Sequence, residues 1–448
     1  MIDFQLLLYV GIGIALLLFL ILRLKMQAFI ALLISSIVVA LLSGVSPTET
    51  IELVKKGMGD TLGFVAVVVG LGAMFGAILE HSGGAESLAK YLLKLFGEKR
   101  ANWAMVITGF FVAIPVFFDV AFILLVPLVY ALQRKTGHSL LHYAIPLLAG
   151  LAITHAFIPP TPGPVAVADI IKADLGLVIL FGFIVGIPTA ILTGPVFGRY
   201  IAGKIHIAAP DLIETNEEEI VEIPPPWMIF TIISIPIVLI LLNTFTTSPL
   251  GRNLALPDLL LNLIQLLGHP FTALILANLI AWYFLGIKRN FTKKQLLDIT
   301  TASLGPAGVI ILLTGAGGVF KQVLITTGVG EMLANYFAEQ NVSILFFGFF
   351  AAVLVRVLQG SSTVAMITAA GLTAPLIPEA YSGTSLALLV IAIASGASIL
   401  SHVNDSGFWL VSKYLGLNEK ETFRSWSVMT TVLSISSILF ITLLSLFF

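Results

Sequence analysis

Long apolar segments recur along almost the whole chain, from Leu6 to Phe448, at lengths that can cross a hydrocarbon core. A sequence patterned this way is matched to a bilayer and not to water. Only 10% of its residues are charged, and its mean hydropathy is +1.05. A soluble globular domain carries about 25% charged residues, so a water-soluble fold would lack the polar surface it needs. The expected fold class is an all-α polytopic membrane protein. Candidate spans are 4–22, 27–44, 61–79, 141–158, 175–198, 227–243, 259–286, 303–320, 385–400 and 425–447. The opening MIDFQLLLYVGIGIALLLFLILRLKM has no basic leading region and no small-residue cleavage site, which predicts a permanent first helix.

The 23 basic and 24 acidic residues nearly cancel, and no basic tract gives a reason to propose a nucleic-acid partner. There is no cysteine, which rules out disulfides and thiolate metal sites. No G-x-x-x-x-G-K-[ST] loop is present to hold ATP, and no H-E-x-x-H motif to hold a catalytic zinc. Nothing calls for a cofactor, a metal or an enzymatic reaction.

One acidic, proline-flanked stretch, 207–226, divides the chain into a first half, 1–206, and a second half, 227–448. Its charge and prolines mark a solvated linker. Lysine and arginine placement sets orientation. Arg23, Lys25, Lys90, Lys94, Lys99, Arg100, Arg199, Lys204, Lys288, Arg289, Lys293, Lys294, Lys413, Lys420 and Arg424 all fall inside if both termini are extracytoplasmic. That reading puts the linker in the cytoplasm. Lys55, Lys56 and Lys321 are its exceptions.

The segment 101–133 begins and ends beside cytoplasmic charge, and its roughly 32 residues are too many for one straight crossing. Two half-crossings meeting near Pro115 to Asp119 fit, forming a re-entrant hairpin; two short full spans would also satisfy the charges. A corresponding hairpin is expected at 343–378. An internal repeat supports the correspondence. GLGAMFGAILEHSGGAESLAKY (70–91) and GAGGVFKQVLITTGVGEMLANY (315–336) match at an offset of 245 residues, pairing Gly70 with Gly315, Gly83 with Gly328, Glu86 with Glu331 and Tyr91 with Tyr336. GFF at 109–111 resembles GFF at 348–350, and Gly163 aligns with Gly407. The loop 80–100 falls inside while 325–341 falls outside, so the halves are expected to be inverted. Inverted repeats with interrupted helices are how many secondary transporters place one site near mid-membrane.

Four polar interruptions supply the candidate site. Asp119, in VFFDV, is a carboxylate in an apolar setting, where it is costly if unpaired. It is read as a proton-coupling group or as a loop acid that merely reaches water. Arg356 precedes the Gly360, Ser361 and Ser362 turn, whose exposed amides and hydroxyls can hold an anion. Arg356 can pair with a substrate carboxylate or an internal acid, or else snorkel to the interface. Four prolines between 159 and 164 force the chain out of helix and free carbonyls near Thr161 and Gly163. His155, just before them, is a proton-coupling candidate or a packed core histidine. The run SHVNDS contributes Ser401, Asn404 and Asp405, the first two to the substrate and the last to the proton. Such breaks can also line a passive anion channel, though interrupted helices in inverted halves favour a moving carrier.

GLGAMFGAILEHSGGAE (70–86), IPVFFDVAFILLVPL (114–128), HAFIPPTPGP (155–164), LQGSSTVAM (358–366) and SHVNDSGFW (401–409) are more particular than hydropathy alone. Through these strings the chain resembles the gluconate permease family, whose members are similar to gluconate:proton symporters. The resemblance covers nearly all of the chain. It implies proton-driven uptake of gluconate or a related sugar-acid anion across the bacterial inner membrane, within an ion-transporter-superfamily-like architecture of inverted repeats. Relatives carry gluconate, idonate, fructuronate-like acids and D-serine, so another small carboxylate remains the alternative substrate. A homodimer is an expectation of the family alone.

Inverted halves make a direct prediction. Because the chain lacks cysteine, Lys94→Cys and Asn335→Cys each give a unique thiol. An impermeant maleimide applied to intact cells is expected to modify the second and spare the first; labelling of both from one side contradicts the inversion.

Overall fold

The computed structural model describes residues 4–210, 223–248, 251, 256–328, 332, 343–378, 381, 383–403 and 405–447. Most of the acidic linker, most of the 325–341 loop and the predicted site residue Asn404 lie outside the described residues. Among the described residues all regular structure is helical, and seven helices are long and apolar enough to cross a membrane. The chain is an all-α polytopic membrane protein.

The first half runs α1 (Phe4–Leu22), α2 (Ala28–Leu42), α3 (Pro47–His81), α4 (Gly84–Phe96), α5 (Ala101–Val112), α6 (Phe118–Thr136), α7 (Leu141–Phe157), α8 (Pro162–Ile171) and α9 (Leu175–Ala202). The second runs α10 (Pro226–Thr247), α11 (Asp258–Gly268), α12 (Pro270–Ala281), α13 (Lys293–Thr326), α14 (Ile344–Gln359), α15 (Ser362–Thr373), α16 (Gly383–Ala397), α17 (Ser406–Leu415) and α18 (Glu419–Ser445).

The segments matched in sequence have similar local backbone features. The helices α3 and α13, of 35 and 34 residues, carry the matched sequences and pack along one another. Each ends in a left-handed glycine at the matched position, Gly83 at φ +74° and Gly328 at φ +75°, a conformation that a Cβ disfavours. In both halves the first arm of the helix pair, α5 or α14, packs against the interrupted helix that follows, α7 or α16. Glycines permit the approach: a Cβ on Gly150 would strike the Val106 carbonyl, and one on Gly396 the Phe349 carbonyl.

Three element boundaries differ from expectation for local reasons. The helix α3 starts at Pro47, well before position 61, because Ser46 caps it and Pro47 is preset for a first turn. Thr292 and Gln295 form a capping box that starts α13 ten residues before position 303. At about 1.5 Å per residue both helices exceed a hydrocarbon core of about 30 Å, so their charged first turns can lie beyond it. The expected single span 259–286 is two helices, because His269 is extended and Pro270 brings no backbone donor. Lys321, an exception to the charge rule, donates to the Ile170 carbonyl (2.5 Å) and so ties α13 to α8. Its charge serves an internal contact.

Candidate functional site

Four helices are interrupted, at 113–117, 158–161, 360–361 and 398–405. The breaks at 360–361 and 398–405, and the start of the helix after the 113–117 break, line one cavity of about 330 Å³. The first break contains Pro115, after which extended Phe117 restarts the chain as α6. Gly360, at φ +90°, turns α14 into α15. In the third, Leu400 is held at φ +42°, a strained conformation for a branched side chain.

Arg356 ties two of the breaks together. Only 4% of its side chain is exposed. Its Nε donates to the Ile399 carbonyl (3.2 Å), its Nη1 to the Gly360 carbonyl and its Nη2 to Asp405 Oδ2 (2.5 Å). Asp405 is itself the N-cap of α17, accepting from the Gly407 amide (3.0 Å) and from the Ser401 hydroxyl. His402 Nε2 lies 2.8 Å from the Val357 carbonyl, a further link between the same segments.

Ser401 is fully buried and serves as a junction. Its Oγ accepts from Trp426 Nε1 (2.6 Å), its amide donates to Thr430 Oγ1 (3.0 Å) and its carbonyl accepts from Ser427. All three partners come from α18, whose Phe423–Ser427 turn is a π-helix. Such single turns are frequent at functional sites.

The polarity of the cavity follows from helix ends. The walls include Phe118 and Asp119 at the start of α6, Ser361 to Thr363 at the start of α15 and Asp405 to Gly407 at the start of α17. First-turn amides have no intrahelical acceptor, and the helix dipole makes each N-terminus partly positive. Three such ends and one guanidinium therefore meet in one cavity, with the carboxylates of Asp119 and Asp405 opposing them. Asp119 is exposed there, whereas Asp405 is held by Arg356. The fourth N-terminus, at α8, begins with Pro162 and carries Pro164, so two of its first amides are missing. It faces a much smaller void beside the cavity.

Of the residues singled out in the sequence, Asp119, His155, Arg356, Gly360, Ser361, Ser362 and Asp405 line this one cavity. His155 also borders the small void, and its buried Nδ1 has no hydrogen-bond partner among the described residues. Ser401 stands behind the wall. Two of the residues singled out lie apart from this cavity. Thr161 is buried and donates to the Ile158 carbonyl (2.6 Å). Gly163 packs against α15, where an added Cβ would come within 2.8 Å of Met366 Sδ. Neither lines the cavity, because the proline-rich turn folds inward against neighbouring helices. Ser398 and Trp426, which do line it, escaped sequence reading. Both sit in runs of small or aromatic residues that read as ordinary apolar helix.

The buried pair predicts a specific energetic pattern. Removing one partner of a buried ion pair costs about 3–5 kcal/mol, because the other charge is left uncompensated. Arg356→Gln and Asp405→Asn are each expected to lower the unfolding temperature of detergent-purified protein. The double variant is expected to recover part of the loss. Additive losses in the double variant contradict the pairing.

The GntP family permease model matches residues 5–447. The chain is 40% identical over 435 residues to a gluconate permease of Pseudomonas aeruginosa, covering 95% of this chain and 94% of that one. It is 40% identical over 422 residues to the low-affinity gluconate transporter of Escherichia coli K12, covering 94% of each. It is 37% identical over 434 residues to the Gnt-II system L-idonate transporter of that strain, covering 97% of each. Among solved structures, the YdaH transporter of Alcanivorax borkumensis superposes with a TM-score of 0.65 at 15% identity over 90% of both chains. Neisseria gonorrhoeae MtrF does so with a TM-score of 0.65 at 14% identity, over 92% of this chain and 93% of that one. Those two share its fold. The chain belongs to the GntP family of permeases.

Proposed function

We propose that this protein carries gluconate, or a closely related sugar-acid monoanion, inward across the cytoplasmic membrane together with protons. The observation that carries the reading is the meeting of three helix N-termini and Arg356 in one cavity. That arrangement suits a carboxylate at one end and hydroxyls along the rest. A volume of about 330 Å³ lies at the small end of ligand pockets. Curated relatives named for gluconate and L-idonate cover nearly the whole chain, which supports the substrate class.

The substrate carboxylate sits at the start of α15, against the amides of Ser362 and Thr363. Ser361, Ser362 and Ser398 answer its hydroxyls. Thr161 and Gly163 act through packing. Coupling resides in the Arg356–Asp405 pair and in Asp119. With the pair intact, Arg356 is neutralised and offers little to an anion. A proton on Asp405 releases the guanidinium, so proton and anion favour one another's binding by the same free energy. Asp119 and His155 face the same space and supply further proton positions. The halves 1–206 and 227–448, joined by the cytoplasmic linker 207–226, are inverted, and the helix pairs 101–133 and 343–378 are re-entrant hairpins. Both chain termini are extracytoplasmic. Matched helix ends and matched glycine contacts in the two halves support this arrangement.

Proteoliposome uptake tests the reading. An imposed inward proton gradient is expected to drive gluconate above its equilibrium level, with a smaller response to D-serine. A passive channel would only equilibrate it. Asp405→Asn and Asp119→Asn are expected to lose accumulation by tenfold or more, while Asp405→Asn retains gluconate exchange at zero gradient. Wild-type accumulation by both variants contradicts the coupling role.

A further inference from the structure

A second cavity, remote from the transport site, lies between α3, α12 and α13 and measures about 520 Å³. Each helix gives it one stripe at helical spacing: Leu71, Met74 and Ile78; Ile275, Asn278 and Leu279; Leu297 and Thr300. Leu279 and Leu297 are 59% and 64% exposed, so the groove opens on the face that meets lipid. Its polarity is one-ended. Lys293 and Trp282 belong to its walls and lie where α12 ends and α13 begins. The body of the groove is apolar, with Asn278 bonded inward to the Leu71 and Leu274 carbonyls.

The charged end extends into the connection between the helices. Lys288 stands over the rings of Tyr283 (5.8 Å) and Phe284 (4.9 Å), and Arg289 and Lys294 belong to the same connecting sequence. Aromatic and basic side chains together mark the headgroup level of a bilayer. The neighbouring acid Asp298 is not a wall of the groove. A long apolar trough closed at one end by cations complements one kind of ligand, an amphiphile with an anionic head.

We infer that this groove is a binding site for an anionic phospholipid, its phosphate at Lys293 and an acyl chain between α3, α12 and α13. Basic pockets between membrane helices recognise lipid headgroups by the same charge complementarity. The site is distinct from the substrate cavity, so substrate binding there does not depend on it. Because α3 and α13 pack along one another, a lipid wedged beside both helps to hold that pair.

Native mass spectrometry of full-length protein, delipidated and then titrated with phosphatidylglycerol or phosphatidylcholine, tests the site. Wild-type protein is expected to retain a phosphatidylglycerol adduct at collision energies that strip phosphatidylcholine. Lys293→Gln is expected to lose that preference. Leu297→Trp, which fills the trough, is expected to weaken both lipids while gluconate binding is unchanged. An unaltered phosphatidylglycerol preference in both variants overturns the proposal. So does efficient cross-linking of Leu279→Cys to a second copy in the native membrane, since a protein partner would then occupy the groove.

Discussion

A guanidinium in the interior of a membrane protein must be met by charge and hydrogen bonds, because its desolvation is otherwise too costly. Arg356 meets that requirement with Asp405 and the carbonyls of Gly360 and Ile399. Each partner belongs to an interruption in a helix, so the arginine can be satisfied only if those interruptions come together. Asp405 in turn caps α17 and accepts from Ser401, which α18 grips through Trp426, Ser427 and Thr430. One charge thus organises the ends of α14, α15 and α17 and the π turn of α18. The cavity is the space those ends enclose.

Broken helices leave backbone groups without partners, and lipid cannot supply any. Turning the breaks inward solves two problems at once. Unpaired amides face a polar space, where they can meet a polar or anionic solute instead of lipid. The four helix starts are not equivalent. Prolines at the start of α8 remove amides from one quarter, whereas the start of α15 keeps its first amides and lies beside Arg356 at the cavity. A polyhydroxy acid has the same asymmetry, charged at one end and neutral along its length.

Much of this was legible in the sequence because each feature breaks a strong local rule. Asp119 and Arg356 are charges within apolar runs, and Pro115, Gly360 and the 159–164 prolines interrupt helices. Gly83 and Gly328, matched in sequence, both adopt a positive φ, a conformation that favours glycine. What was hidden depends on direction. Trp426 reads as one more aromatic in a last span until the π turn aims it at Ser401. Thr161 and Gly163 stand beside the prolines that mark the site, yet the turn buries them against neighbouring helices. Helix starts at Pro47 and Lys293 were missed because hydropathy sees the apolar body and not the capped polar turns before it.

The central claim is that an anion is held between the start of α15 and the Arg356–Asp405 pair. An experimental structure of the protein with gluconate bound at acidic pH tests it most directly. The account predicts the carboxylate within hydrogen-bond distance of Arg356 and the Ser362 or Thr363 amide, with the Arg356–Asp405 contact lengthened. Gluconate bound elsewhere, or bound in the cavity with its carboxylate turned away from Arg356 and the start of α15, would contradict it.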